Sequence, residues 1–244
     1  MRHEGRRAIL NWDYKGHSNL GRLKTELREK LMIRHLKKNH LKELGPKTRK
    51  IIFLDEPEQL KKFESRVIKN YSLDELMGED HELGDIATYR REVGQAKVPQ
   101  AFSYIQQLLE NSSDKLVVFA HHVSVVEDLT RMLEDFHPLM IRGGMTAREK
   151  EKAVYWFQTN PNRRVIVGNM DAMGIGNTLT KAPGVIVVEP SWVPGINEQA
   201  EDRVHRMTQK SNVYIHYLVL RNSLDERMLS NVFSKQKAIA QAID

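Results

Sequence analysis

The sequence predicts an α/β protein: a parallel sheet flanked by helices, preceded by a mostly helical region. Three observations carry this. From about residue 115, short β-rich apolar runs alternate with helical stretches. The runs LVVFA, RVIVG and VIVVE are uninterrupted, the pattern of strands buried on both faces. Before about residue 110 the chain is rich in charge and reads mostly as helix.

The elements follow in order. Leu20, Leu23, Leu27, Leu31, Leu36, Leu41 and Leu44 recur at spacings of three to five, one helical stripe or two helices in succession. Gly45-Pro46 ends it. Its other face carries Arg22, Lys24, Arg28, Lys30, Arg34, Lys37, Lys38 and Lys42 against Glu26, Glu29 and Glu43. Such a run is either a solvated basic face or a surface that tracks phosphates.

KIIFLDEPEQ (50–59) is an apolar run followed by Asp55-Glu56. It imitates the metal-binding strand of a nucleotide hydrolase, but no G-x-x-x-x-G-K-[ST] phosphate loop exists in the sequence. Asp55-Glu56 is read instead as the end of a strand and the start of the helix EQLKKFESRVI, where acids suit the helix dipole.

Beyond lie a strand at 116–120, a helix at 123–136 and a strand at 138–141. A helix at 146–158 has Thr146 as its N-cap. Strands at 164–168 and 185–189, a helix at 197–207, a strand at 212–220 and a closing helix at 223–243 complete the chain.

The totals bound the function. The 244 residues carry a net charge of +6, which favours a polyanionic partner such as nucleic acid. The absence of cysteine excludes disulfides and thiolate metal sites and suggests an intracellular setting. No apolar run approaches the roughly 18 residues that span a bilayer, so no membrane partner is expected. The histidines lack ligand spacing, and no metal site is expected.

Three features after residue 140 point to phosphate. Gly143-Gly144 lies between a strand and a capped helix, a turn that exposes backbone N–H groups. GNMDAMGIGNTLTKA (168–182) follows a buried strand, with Gly174 and Gly176 permitting close backbone approach and Thr178 and Thr180 offering hydroxyls. In EQAEDRVHRMTQK (198–210), Arg203 and Arg206 stand three apart, on one face of the expected helix. Two forked donors there suit one phosphoryl group.

QAEDRVHRMTQ (199–209) resembles motif VI of the Snf-type (Swi/Snf-related) ATPases of helicase superfamily two, Q-A-x-x-R-x-H-R-x-G-Q. WVPGINEQAEDR is similar to the W-N-P segment before it, and residues 168–182 to motif V. KLVVFAHH looks like motif IV and IRGGMTAREKEKAVYWFQ like the segment that follows. Residues 12–50 look like the stretch between the two motor lobes. The wording "VFAHH" and "QAEDRVHR" is similar to the HARP-type annealing helicases and their bacterial and phage relatives. Thr208 stands where the family has Gly, Val193 where it has Asn, and Asn177 where Leu is common. The phosphate loop and D-E-x-H of the first lobe are missing.

The resemblance implies a RecA-like second motor lobe at 113–244, a helical lead-in at 51–112 and a basic helical interlobe segment at 1–50. On this resemblance the chain would be an excised piece, or half of a split or degenerate motor. It implies ATP and Mg2+ as cofactors, held mainly by the missing N-terminal lobe, and double-stranded or branched DNA as partner. Arg203 and Arg206 would be catalytic arginine fingers, with Gln199, Gly174 and Gly176 at the nucleotide. Thr146, Thr178, Trp192, Arg34, Lys37 and Lys38 would face nucleic acid. The chain alone is expected to lack ATPase activity. The expected setting is the cytoplasm of a bacterium or phage-infected cell rather than a nucleus. The competing expectation is a DNA-binding or regulatory module that kept the fold and lost hydrolysis; a bare protein scaffold would bind no nucleic acid.

Overall fold

The computed structural model describes residues 18–33, 35–70, 84–174 and 177–243. Among these, two short helices come first, α1 (Leu20–Lys30) and α2 (Lys37–His40), so the leucine stripe is two helices rather than one. The first strand, β1 (Lys47–Leu54), leads into α3 (Glu58–Asn70) and the long α4 (Gly84–Asn111). Then follow β2 (Leu116–Ala120), α5 (Val123–Met132), a 3-10 turn at Glu134–Phe136 and β3 (Leu139–Ile141). The remainder is α6 (Ala147–Thr159), β4 (Val165–Asn169), α7 (Met170–Gly174), β5 (Gly184–Val187), α8 (Pro194–Glu201), β6 (Val213–Leu220) and α9 (Leu224–Ile243).

The strands form one sheet in the order β1-β6-β5-β2-β4-β3, every pair parallel. Alternation explains its two cores. In β2, Leu116, Val118 and Ala120 face one apolar cluster, which includes Ile105 and Leu109 of α4 and Val126 and Leu129 of α5. Val117 and Phe119 face the other, with Phe157 of α6, Ala200 of α8 and Leu229 of α9. Both faces are dry, which is why these strands lack polar positions.

β1 differs. It lies at the sheet edge, paired with β6 from Lys47↔Val213 to Leu54↔Leu220, and its first half is basic and largely exposed. The expected boundary at residue 50 falls inside this strand, so the sheet draws on the segment before it. The Asp55-Glu56 pair sits between β1 and α3, where the sequence put the end of a strand and the start of a helix.

Candidate active-site groove

The chain reaches the candidate site from the far end of β5. Asn197 fastens the turn, accepting from Ser191 N at 2.8 Å and donating to Ser191 O at 2.7 Å. Pro194 opens α8, where a missing N–H costs nothing. The helix then runs back toward the end of the sheet at which β1, β5 and β6 begin.

It ends at Glu201, and this corrects the helix expected over 197–207. Arg203 and Arg206 are not on one helix face but on a series of turns spanning 202–208. The backbone shows why. The Arg203 carbonyl accepts from Leu179 N at 2.9 Å instead of from the next helical turn. Val204 N and Gln209 N make short-range bonds to Glu201 O and Arg206 O. Gln209 Nε2 ties the turns to Ala182 O at 2.8 Å, just before β5.

The anchor of this corner is Glu201, whose side chain is 1 % exposed. It accepts from Arg49 Nε at 2.6 Å and Nη2 at 2.5 Å, from Lys47 Nζ at 2.8 Å and from the Tyr217 hydroxyl at 2.8 Å. Burial alone would raise its carboxyl, but Arg49 and Lys47 outweigh burial and hold it below the ordinary carboxylate range. Burial, then the Glu201 charge, pushes the Tyr217 phenol up.

The turns nevertheless bring the two arginines together. Arg203, Arg206, Gln199 and Thr178 line one groove, joined by Thr208 and, from α2, Lys37. Arg206 Nη1 donates to Thr178 Oγ1 at 3.0 Å. Arg203 Nε is buried and has no hydrogen-bond partner. His205 Nε2 meets Gly45 O at 2.8 Å, an orienting role that clamps the segment before β1. Thr208 spends its hydroxyl on Thr180 Oγ1 at 2.9 Å, and its backbone is not left-handed, so a threonine fits without strain. A groove with two guanidinium groups and an amide suits a phosphate group.

The other expected residues are more dispersed. Gly174 closes α7, whereas Gly176 lies outside the described residues, as does Arg34. Lys38 belongs to α2, but its side chain is not described. Thr178 and Lys37, expected at the nucleic acid, line the arginine groove. Thr146 forms the N-cap of α6 in a capping box: its Oγ1 accepts from Glu149 N at 3.3 Å, and its N and Oγ1 both donate to Glu149 Oε2 at 2.8 Å.

Trp192 stands at the opposite end of the sheet, in a small hollow beyond the ends of β2, β5 and β6, with the Arg90 guanidinium 4.0 Å from its ring centroid. Sequence patterns had dismissed this hollow's histidines. Glu189 accepts from His121 N and His122 N, each at 2.9 Å, and meets His122 Nδ1 at 2.6 Å. Burial and the Arg90 charge lower the His121 pKa. Lys97, fully buried, donates to Val188 O at 3.0 Å and Leu218 O at 2.9 Å and pairs with Asp225 at 2.7 Å. Its only sequence signal was a lysine inside an otherwise apolar helix face. Among the described residues, no group of three or more His, Cys, Asp or Glu side chains could hold a metal ion, and no helix is long and apolar enough to cross a membrane.

The comparisons agree with this architecture. Residues 100–208 match the model of the helicase conserved C-terminal domain. The chain is 33% identical over 236 residues to the SWI/SNF-related matrix-associated actin-dependent regulator of chromatin subfamily A-like protein 1 of Xenopus tropicalis, covering 95% of this chain and 25% of that protein. It is 35% identical over 236 residues to the DNA annealing helicase and endonuclease ZRANB3 of Bos taurus, covering 93% of this chain and 22% of that protein. The chain thus spans about a quarter of the length of these curated relatives. The Sulfolobus solfataricus SWI2/SNF2 ATPase core domain shares the fold, with a TM-score of 0.63, 20% identity, and 90% of this chain and 49% of that chain covered. The same core in complex with dsDNA gives a TM-score of 0.61 at 21% identity, covering 90% and 54%. The expected bacterial or phage cytoplasm is overturned: these relatives are eukaryotic proteins, one named as a regulator of chromatin and the other as a DNA annealing helicase.

Proposed function

The chain carries the helicase conserved C-terminal domain of the Snf-type ATPases, their second motor lobe, and from this premise we propose that it is the arginine-donating half of an ATP-driven translocase on double-stranded DNA. One observation supports this above the rest: Arg203, Arg206 and Gln199 converge on one groove.

In such a motor, ATP and its Mg2+ supply a phosphoryl group and a charge-neutralising ion between two lobes. The residues of this chain stabilise the charge that develops there. Arg203 and Arg206 present forked donors, and such fingers are worth on the order of a thousandfold or more in rate. Thr178 orients Arg206 through its hydroxyl, and Gln199 lines the same groove. Cleft closure brings the arginines to the nucleotide, and reopening moves the lobe along the duplex.

DNA contacts fall to the opposite end of the sheet in this account. There the Gly143-Gly144 turn, the N-terminus of α6 at Thr146, and Trp192 lie beyond the strand ends. Contacts to phosphate and sugar make binding sensitive to salt and largely independent of sequence. The capping box occupies the Thr146 hydroxyl and the N–H groups of Thr146 and Glu149, so the backbone N–H groups of Ala147 and Arg148 are the better donors.

The test is reconstitution. The chain alone hydrolyses no ATP, and DNA-stimulated hydrolysis appears when a Snf-type first lobe is supplied in cis or in trans. Brisk hydrolysis by the chain alone would contradict the division of labour. Binding to DNA with no hydrolysis on adding the first lobe would support the competing reading, a non-hydrolysing DNA-binding module.

A further inference from the structure

Lys37 is a cation in an unexpected place. Its helix, α2, precedes the sheet, yet its ammonium lines the groove with Arg203 and Arg206. There it sits 2.5 Å from Asp202 Oδ2 and donates to His205 O at 3.2 Å. Asp202 is the one carboxylate among the described residues that line the groove, against three cations. Its other ionic neighbour, Lys47 at 3.4 Å, is held more closely by Glu201 at 2.8 Å.

We propose that Lys37 is a third phosphate-binding cation of this groove, latched to Asp202 when the groove is empty and transferred to the nucleotide's triphosphate when it is filled. The inference rests on the groove being the nucleotide-facing site.

Three physical points carry it. The Lys37–Asp202 pair is well exposed, at 41% and 35%, so water screens it and its net worth is small. Exchanging one such carboxylate for a multiply charged phosphate chain therefore costs little and gains charge-assisted bonds. A lysine on a flexible stem also reaches a new acceptor without moving its helix. The segment before the lobe thereby acquires a role in sensing the nucleotide: the same ammonium that holds it to the 202–205 turn is the one the phosphate recruits.

The test uses titration calorimetry on the chain joined to a Snf-type first lobe at low ionic strength, with tripolyphosphate, ATP and duplex DNA as separate titrants. Lys37→Ala should weaken tripolyphosphate and ATP binding about fivefold. Asp202→Asn should tighten both, because it frees the ammonium. A latch with only a structural role would weaken binding in both variants. Duplex affinity should be the same in Lys37→Ala as in the parent. The inference is overturned if Lys37→Ala leaves triphosphate affinity unchanged, if Asp202→Asn weakens it, or if the loss falls on DNA alone. Arg206→Ala separates the two levels. If it weakens tripolyphosphate binding and Lys37→Ala does not, only the role of Lys37 falls. If neither variant changes it, the groove itself is not a phosphate site.

Discussion

Arg49, in the edge strand β1, donates from both Nε and Nη2 to the carboxylate of Glu201, the last residue of the helix that leads into the arginine turns. The two are separated by more than 150 positions in sequence and joined by a bidentate bond. The strand contributed by the segment before the lobe therefore sets where the arginine turns begin.

Glu201→Gln should cost about 3–5 kcal/mol, because it leaves Arg49 and Lys47 facing each other without their buried counter-charge. Urea unfolding of the chain measures it. Glu201 titrates below its ordinary value of 4.5, so its contribution is complete above that pH and lost as the pH falls through the lower folded value. The penalty of the substitution should accordingly shrink in acid.

Glu56 titrates in the opposite direction. Burial, then the neighbouring Glu64 carboxyl, pushes its carboxyl up to about 7. A folded-state value above the ordinary 4.5 means that stability is lost as the pH rises from 4.5 to about 7. Glu56→Gln should therefore stabilise the chain at pH 8, with a gain that fades at pH 4, as read from the urea midpoint at each pH.

Gly94 lies where α4 passes Glu189. A Cβ at that position would fall 2.1 Å from Glu189 Oε1. Gly94→Ala should cost about 1–3 kcal/mol despite alanine's better helix propensity, since the carboxylate is held by His121 and His122 and has little room to yield. Thermal unfolding checks this, and a gain in stability would show that the Glu189 cluster is loosely held.

Much of the fold was legible in the sequence. LVVFA, RVIVG and VIVVE read as strands because both of their faces are dry, and Thr146 reads as a cap because it stands at the head of a helical run. The arginine groove was legible through motif VI, although by a faulty geometric route. Residues 202–207 contain no Gly or Pro to break a helix, but the Arg203 carbonyl is taken by Leu179, and no local pattern encodes that bond. The same holds for Glu201 with Lys47 and Arg49, and for Lys37 with Asp202. Each joins residues more than 150 positions apart, a distance over which no spacing rule in the sequence pairs them.

The central claim is that Arg206 acts on the nucleotide's phosphate. It is tested most directly by steady-state ATP hydrolysis of the chain joined to a Snf-type first lobe, with saturating duplex DNA. Arg206→Ala should lower kcat on the order of a thousandfold while leaving DNA affinity near the parent's. Retention of the parent's kcat would contradict the account, because an arginine that only braced Thr178 and the turn could be removed without touching the chemistry.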